Sequence, residues 1–129
     1  MKKRRAMDKK IILIVEDDKD IAAGLSVRLR ANGYATVCAT DAGSGIDAAL
    51  TEHPDLILLD LGLPDDNGFV MMRRMEAMAP LWSIPVIVMS GRSPQVYKDP
   101  ALIAGAKGYL EKPIENDQLL AAVRKAVPS

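Results

Sequence analysis

The chain has 129 residues, 49% of them hydrophobic, and its 17 basic side chains balance 17 acidic ones. That length suits a single domain with a buried core. Apolar runs such as 11–15 reach about five residues, far short of the roughly twenty needed to cross a bilayer, and the lone cysteine, Cys38, excludes an internal disulfide and fits a reducing, cytoplasmic setting.

The charge is unevenly spread. Lys2, Lys3, Arg4, Arg5, Lys9 and Lys10 are opposed in the first ten positions only by Asp8, which leaves eleven basic and sixteen acidic side chains in residues 11–129, a net of −5. The basic start resembles the charged part of a secretion signal, but the apolar run that follows is too short and ends in acids. Residues 1–9 are expected to form a flexible basic arm. The acidic remainder suits a protein that holds a cation; no direct DNA binding and no membrane association are expected.

Short β-type runs alternate with amphipathic segments, the pattern of a parallel sheet covered on both faces. Ile11-Ile12-Leu13-Ile14-Val15 is continuously apolar, as a strand buried on both faces should be. Ile21, Leu25 and Leu29 recur every four residues and predict a helix, closed by Asn32-Gly33. Residues 34–39 read as a weaker strand near an edge, with Cys38 as a small buried residue in it. Asp41 or Ser44 caps a second helix whose stripe includes Ile46, Ala49 and Leu50, and Pro54 bars its continuation. His53, beside that proline, reads as a surface residue near a helix end.

Leu56-Ile57-Leu58-Leu59 is a third strand running into Asp60, and Pro64-Asp65-Asp66-Asn67-Gly68 is dense in turn residues. Residues 69–78 predict a third helix with Met71, Met75 and Met78 in the core. Pro80 and Pro85 bound a loop carrying Trp82, and Val86-Ile87-Val88-Met89 is the fourth strand. Pro94 opens a fourth helix behind Ser93, but Pro100 falls in its interior, so that helix is expected to be short, broken or shifted, restarting behind Asp99. Gly108-Tyr109-Leu110 is a fifth strand. A last helix, capped by Asn116 or Asp117, puts Leu119, Leu120 and Val123 on one face.

The chemistry-bearing residues fall at strand ends. Glu16 and Asp17 close the first apolar run, Asp60 the third, Ser90 the fourth, and Lys112 follows the fifth. In a parallel α/β sheet, sites gather at the carboxyl ends of the strands. Asp60 is a competent nucleophile toward a phosphoryl donor, giving an acyl phosphate. The acids need screening, and Mg²⁺, with about six oxygen ligands and only one or two carboxylates, suits them. Asp17 and Asp60 can bind it directly, with Glu16 holding a metal-bound water. Asp18 ranks below them because a negative charge is favoured at a helix start anyway. Ser90 can donate to a phosphoryl oxygen past the bare Gly91, and Lys112 can pair first with Asp60 and then with the phosphoryl group. Singly these residues read as a strand terminator, a turn residue and a surface charge; their joint order is what argues for a site.

The stretches Ile-Leu-Ile-Val-Glu-Asp-Asp (12–18), Pro-Asp-Leu-Ile-Leu-Leu-Asp-Leu-Gly-Leu-Pro (54–64), Asn-Gly (67–68), Val-Ile-Val-Met-Ser-Gly (86–91) and Ala-Gly-Ala-Lys-Gly-Tyr-Leu-Glu-Lys-Pro (104–113) resemble the receiver domain of two-component response regulators. The resemblance covers about residues 10–127. It implies a doubly wound, flavodoxin-like (βα)5 sandwich, and it, not the spacing, supplies the strand order 2-1-3-4-5. It also implies that Asp60 is phosphorylated by a sensor histidine kinase or a histidine phosphotransfer protein. Asp17, Asp60 and the Gly62 carbonyl would bind Mg²⁺, with Glu16 nearby. Ser90 would be the switch hydroxyl, Tyr109 the switch aromatic, and Lys112–Pro113 a cis bond. Phosphorylation would then rewrite the surface of the fourth helix, fifth strand and fifth helix.

Three departures stand out. Gly62 sits where the family has a longer side chain, Arg92 could reach over the phosphoryl group in its place, and Pro94 with Pro100 alters the fourth helix. Gly62 and Arg92 are expected to set the lifetime of the acyl phosphate. The sequence is expected to hold no output domain, and to act by protein contact as a monomer or as a dimer formed on phosphorylation. The competing readings are a haloacid-dehalogenase-like phosphatase, which wants a second acid where Gly62 stands, a pseudo-receiver that binds partners without phosphorylation, and a flavin-binding flavodoxin-like domain, for which the acids at 16–18 are a poor phosphate cradle.

Overall fold

The computed structural model describes residues 9–128, so nearly all of the expected basic arm lies outside the described residues. Five parallel strands form one sheet in the order β2-β1-β3-β4-β5. They are β1 (Ile11–Val15), β2 (Ala35–Ala39), β3 (Leu56–Asp60), β4 (Val86–Ser90) and β5 (Gly108–Glu111), alternating with α1 (Lys19–Ala31), α2 (Ala42–Glu52), α3 (Gly68–Glu76), α4 (Pro94–Ile103) and α5 (Asn116–Ala126). Among the described residues no helix is long and apolar enough to cross a membrane.

The strand pleat sorts the apolar runs into two cores. Ile12, Ile14, Leu56, Leu58, Ile87 and Met89 pack with Leu25 and Leu29 of α1 and Leu119, Leu120 and Val123 of α5. Leu13, Val15, Ile57, Leu59 and Val88 pack with Ile46, Met71, Met75 and Ala101 on the other face. The central strands β1, β3 and β4 are covered on both sides, which is why their runs carry no polar alternation.

Local signals place the helices. Asp18 caps α1 by accepting from the amides of Asp20 and Ile21, and Gly33 turns the chain at a φ of +93°. Asp41, not Ser44, caps α2. His53 closes α2 at a φ of +50° and is exposed. Asn67 caps α3 through the amide of Val70, so α3 begins one residue earlier than the sequence suggests and ends two earlier; Met78 packs on the core as a half-buried residue beyond it.

Three expectations are corrected. α4 is one unbroken helix of ten residues with Pro100 inside it, not a broken or restarted one. Its partner carbonyl belongs to Val96, and both residues are exposed, so the group left without a donor has solvent at hand. α5 starts at Asn116 behind Glu115, which makes no side-chain cap bond, so neither Asn116 nor Asp117 is the cap. Cys38 is exposed rather than buried: it lies on the edge strand and opens onto a surface pocket lined also by Ala22, Ser26 and Val27 of α1. The loop between Pro80 and Pro85 is present as expected and contains a 3-10 turn, Leu81–Ser83, which buries Leu81 completely.

Candidate phosphoacceptor site

The sheet register decides what meets at its carboxyl rim. Val15 lies opposite Leu59, Asp60 opposite Met89 and Ser90 opposite Glu111. Because β1, β3, β4 and β5 are consecutive in the sheet, the residues that end or follow them stand side by side. Main-chain bonds carry the ladder past the strands: Glu16 N donates to Ala39 O, Leu61 N to Met89 O, and Lys112 N to Ser90 O at 2.8 Å. Glu16, Asp60 and Ser90 are almost wholly buried, whereas Asp17 is exposed.

The Lys112 ammonium links two of the acids, lying 2.5 Å from Glu16 Oε1 and 3.2 Å from Asp60 Oδ1. The sequence suggests Asp60 alone as the partner of Lys112; the structure adds Glu16 as the nearer one. Burial pushes the Glu16 carboxyl up to about 7, with Lys112 opposing and the charge of Asp60 adding to the rise. Burial disfavours the charged Lys112, but its bond to Glu16 and the fields of Asp60 and Glu16 outweigh that, and its pKa lies above the ordinary value.

Glu16, Asp17 and Asp60 each present a carboxylate oxygen, all within 4.8 Å of one another. One lysine does not neutralise three acids. Buried Glu16 Oε1 is met by the Lys112 ammonium, which is shared with Asp60. An all-oxygen donor set with excess negative charge fits a hard divalent cation.

The remaining residues flank this cluster. Gly62 is exposed, its N–H donates to Asp60 Oδ1 at 3.3 Å, and a Cβ there would meet nothing within 4 Å. Ser90 Oγ accepts from Arg92 N at 2.9 Å, and the half-buried Tyr109 donates its hydroxyl to Arg92 O at 3.1 Å. One residue's backbone therefore holds both side chains. The Arg92 guanidinium is turned toward α4, 5.5 Å from the centre of the Tyr97 ring, and donates to its hydroxyl. Lys112–Pro113 is cis, as the resemblance implies, and Ala79–Pro80 is cis as well.

Sequence reasoning misses two residues of the loop after Asp60. Gly68 leaves no room for a side chain, since a Cβ would fall 2.9 Å from Asp60 O and 3.1 Å from Leu61 Cα. Asp65 accepts from the amides of Ala42 and Gly43 at 2.8 and 2.9 Å. Both sit in a stretch legible as turn residues, but the contacts they make are with distant or folded-back backbone that spacing alone does not reveal.

The sequence matches the response regulator receiver domain family over residues 12–124. Among curated relatives, the KDP operon transcriptional regulatory protein KdpE of Escherichia coli (strain K12) is 42% identical over 117 residues, covering 90% of this chain and 50% of the relative. The chain spans about half the length of the curated relatives it matches. Among solved structures, a CheY-like response regulator receiver domain protein from Methanospirillum hungatei JF-1 has a TM-score of 0.83 at 29% identity, covering 92% of this chain and 94% of its own. The receiver domain of the sensor histidine kinase PA1611 from Pseudomonas aeruginosa PAO1, solved with a magnesium ion coordinated in its active site cleft, has a TM-score of 0.85 at 26% identity, covering 94% and 99%.

The doubly wound sheet carries acids, a hydroxyl and a lysine on its carboxyl rim. This chain belongs to the response regulator receiver domain family of two-component signalling proteins, whose general function is phosphorylation on an aspartate.

Proposed function

We propose that Asp60 is the phosphoacceptor and that this chain takes its phosphoryl group from a phosphohistidine on a sensor histidine kinase or phosphotransfer protein. The observation that carries the reading is the juxtaposition of Asp60 with Glu16, Asp17 and Lys112 at one rim. An Asp60 oxygen forms the new O–P bond as the donor's P–N bond breaks; that electron pair returns to the imidazole, which takes a proton from solvent. Asp17, Asp60 and the Gly62 carbonyl would hold Mg²⁺, with Glu16 nearby. When bound, the ion screens the negative charge gathered between carboxylate and phosphoryl group.

Lys112 stays paired through the reaction, first with carboxylates and then with a phosphoryl oxygen. Phosphorylation adds about 1.5 to 2 negative charges. Ser90 turns its hydroxyl to that group, and Tyr109 follows because both are bonded to Arg92. The surface of α4, β5 and α5 changes with them, a population shift read by a partner protein. Gly62 and Arg92 set the phosphoryl lifetime, Arg92 acting once it leaves Tyr97; an unchanged dephosphorylation rate in Arg92→Ala would remove it from this role. A cytoplasmic setting belongs to the same proposal.

The test is intact mass after incubation with Mg²⁺ and acetyl phosphate. The wild type is expected to gain the mass of one phosphoryl group and Asp60→Asn none. A wild type that gains no mass overturns the assignment.

A further inference from the structure

We infer that Asp65 is a positioning residue for the phosphoacceptor loop, fastening the segment that carries Gly62 to the first turn of α2. The inference rests on the roles proposed for Asp60 and Gly62. Between β3 and α3 the chain buries Leu61 and Leu63, while Gly62 between them is exposed and its α-carbon has open space around it. Beyond Leu63 the loop reaches outward and meets the rest of the molecule through Asp65.

That attachment is bidentate. Asp65 Oδ1 accepts from Ala42 N at 2.8 Å and Oδ2 from Gly43 N at 2.9 Å. These two bonds hold the Asp65 carboxyl down to about 2. The first four amides of α2 are thereby all accounted for, since Ser44 N goes to the Asp41 side chain at 2.7 Å and Gly45 N to the Asp41 carbonyl at 2.9 Å. A carboxylate is also favoured there by the helix dipole. The far end of the tether is itself fixed: Gly45 lets α2 approach β1 so closely that a Cβ would stand 3.1 Å from Val15 and Met71 side-chain atoms. The other side-chain contact of this loop, Asp66 with Arg74 at 3.3 Å, is an exposed ion pair and holds it only weakly.

A loop tethered on both sides holds Gly62, whose N–H already donates to Asp60 Oδ1 at 3.3 Å, with little ordering left to do. Without Asp65 that ordering falls on the metal-bound state. The experiment follows the Mg²⁺ dependence of acyl-phosphate formation from acetyl phosphate by intact mass, and metal-free amide exchange at residues 61–63. The variants are Asp65→Ala, Asp65→Asn and Asp41→Ala. Asp65→Ala is expected to raise the half-saturating Mg²⁺ by about five- to thirtyfold, the scale of re-ordering a single backbone residue, and to speed exchange at 61–63. Asp65→Asn keeps one acceptor oxygen and recovers part of both. Asp41→Ala removes a cap from the same helix, so it lowers thermal stability but leaves Mg²⁺ dependence and loop exchange as in the wild type.

If Asp65→Ala matches Asp41→Ala in both readouts, Asp65 is merely a cap and the inference is overturned. Should Asp65→Ala fail to fold, Asp65→Asn carries the same comparison. A wild type that gains no mass sinks the Asp60 assignment instead, and metal-free exchange still decides whether Asp65 holds the loop.

Discussion

At the scale of single residues the site is a problem of surplus charge. Glu16 is buried beside Asp60, and its carboxyl titrates near 7 instead of 4.5 because burial opposes ionisation more than Lys112 favours it. Between those two values the folded protein retains a proton that the unfolded chain has released, so rising pH favours unfolding. In magnesium-free buffer, stability is therefore expected to fall as pH rises from about 4.5 to about 7, by roughly 3 kcal/mol at most. Glu16→Gln should abolish that slope, and millimolar Mg²⁺ should flatten it by favouring the ionised carboxylates; chemical denaturation across this pH range measures both. Glu16 was legible in the sequence as an acid after a strand. Its nearer claim on Lys112 was not, because a lysine's reach depends on how two strand ends lie side by side, which spacing within one segment does not encode.

At the scale of elements, helix interiors distinguish glycines that look alike in sequence. A methyl group on Gly24 in α1 would have nothing within 4 Å, whereas one on Gly45 in α2 would face Val15 and Met71 at 3.1 Å. Gly24→Ala should stabilise the protein by about 0.5–1 kcal/mol. Gly45→Ala should destabilise it by about 1–3 kcal/mol, since the stiff Val15 cannot yield. Pro100→Ala restores an amide to the middle of α4 and should add roughly 1–3 kcal/mol. Thermal melts rank all three. The strands and α1 were legible because buried parallel strands and amphipathic helices write their periods into the chain. The course of α4 was not: a proline signals a missing amide, but whether the helix breaks there depends on solvent reaching the orphaned carbonyl. The cap of α5 failed for a related reason, since Glu115 occupies that position without using its side chain.

At the scale of the whole molecule, the order 2-1-3-4-5 sends the chemistry and the connections that lack it to opposite rims. The acids, Ser90 and Lys112 lie at or just past the carboxyl ends of their strands, and the 3-10 turn at Leu81–Ser83 lies before the amino end of β4. Trp82 sits in that turn, 68% exposed, and is the chain's only tryptophan. Intrinsic indole emission consequently watches the far pole of the protein. Titration with magnesium or acetyl phosphate should leave the emission maximum and intensity unchanged even as intact mass records the modification. A spectral shift would instead show that switching reaches across the sheet to the opposite pole. An optical assay of this receiver calls for a fluorophore installed near the acidic rim.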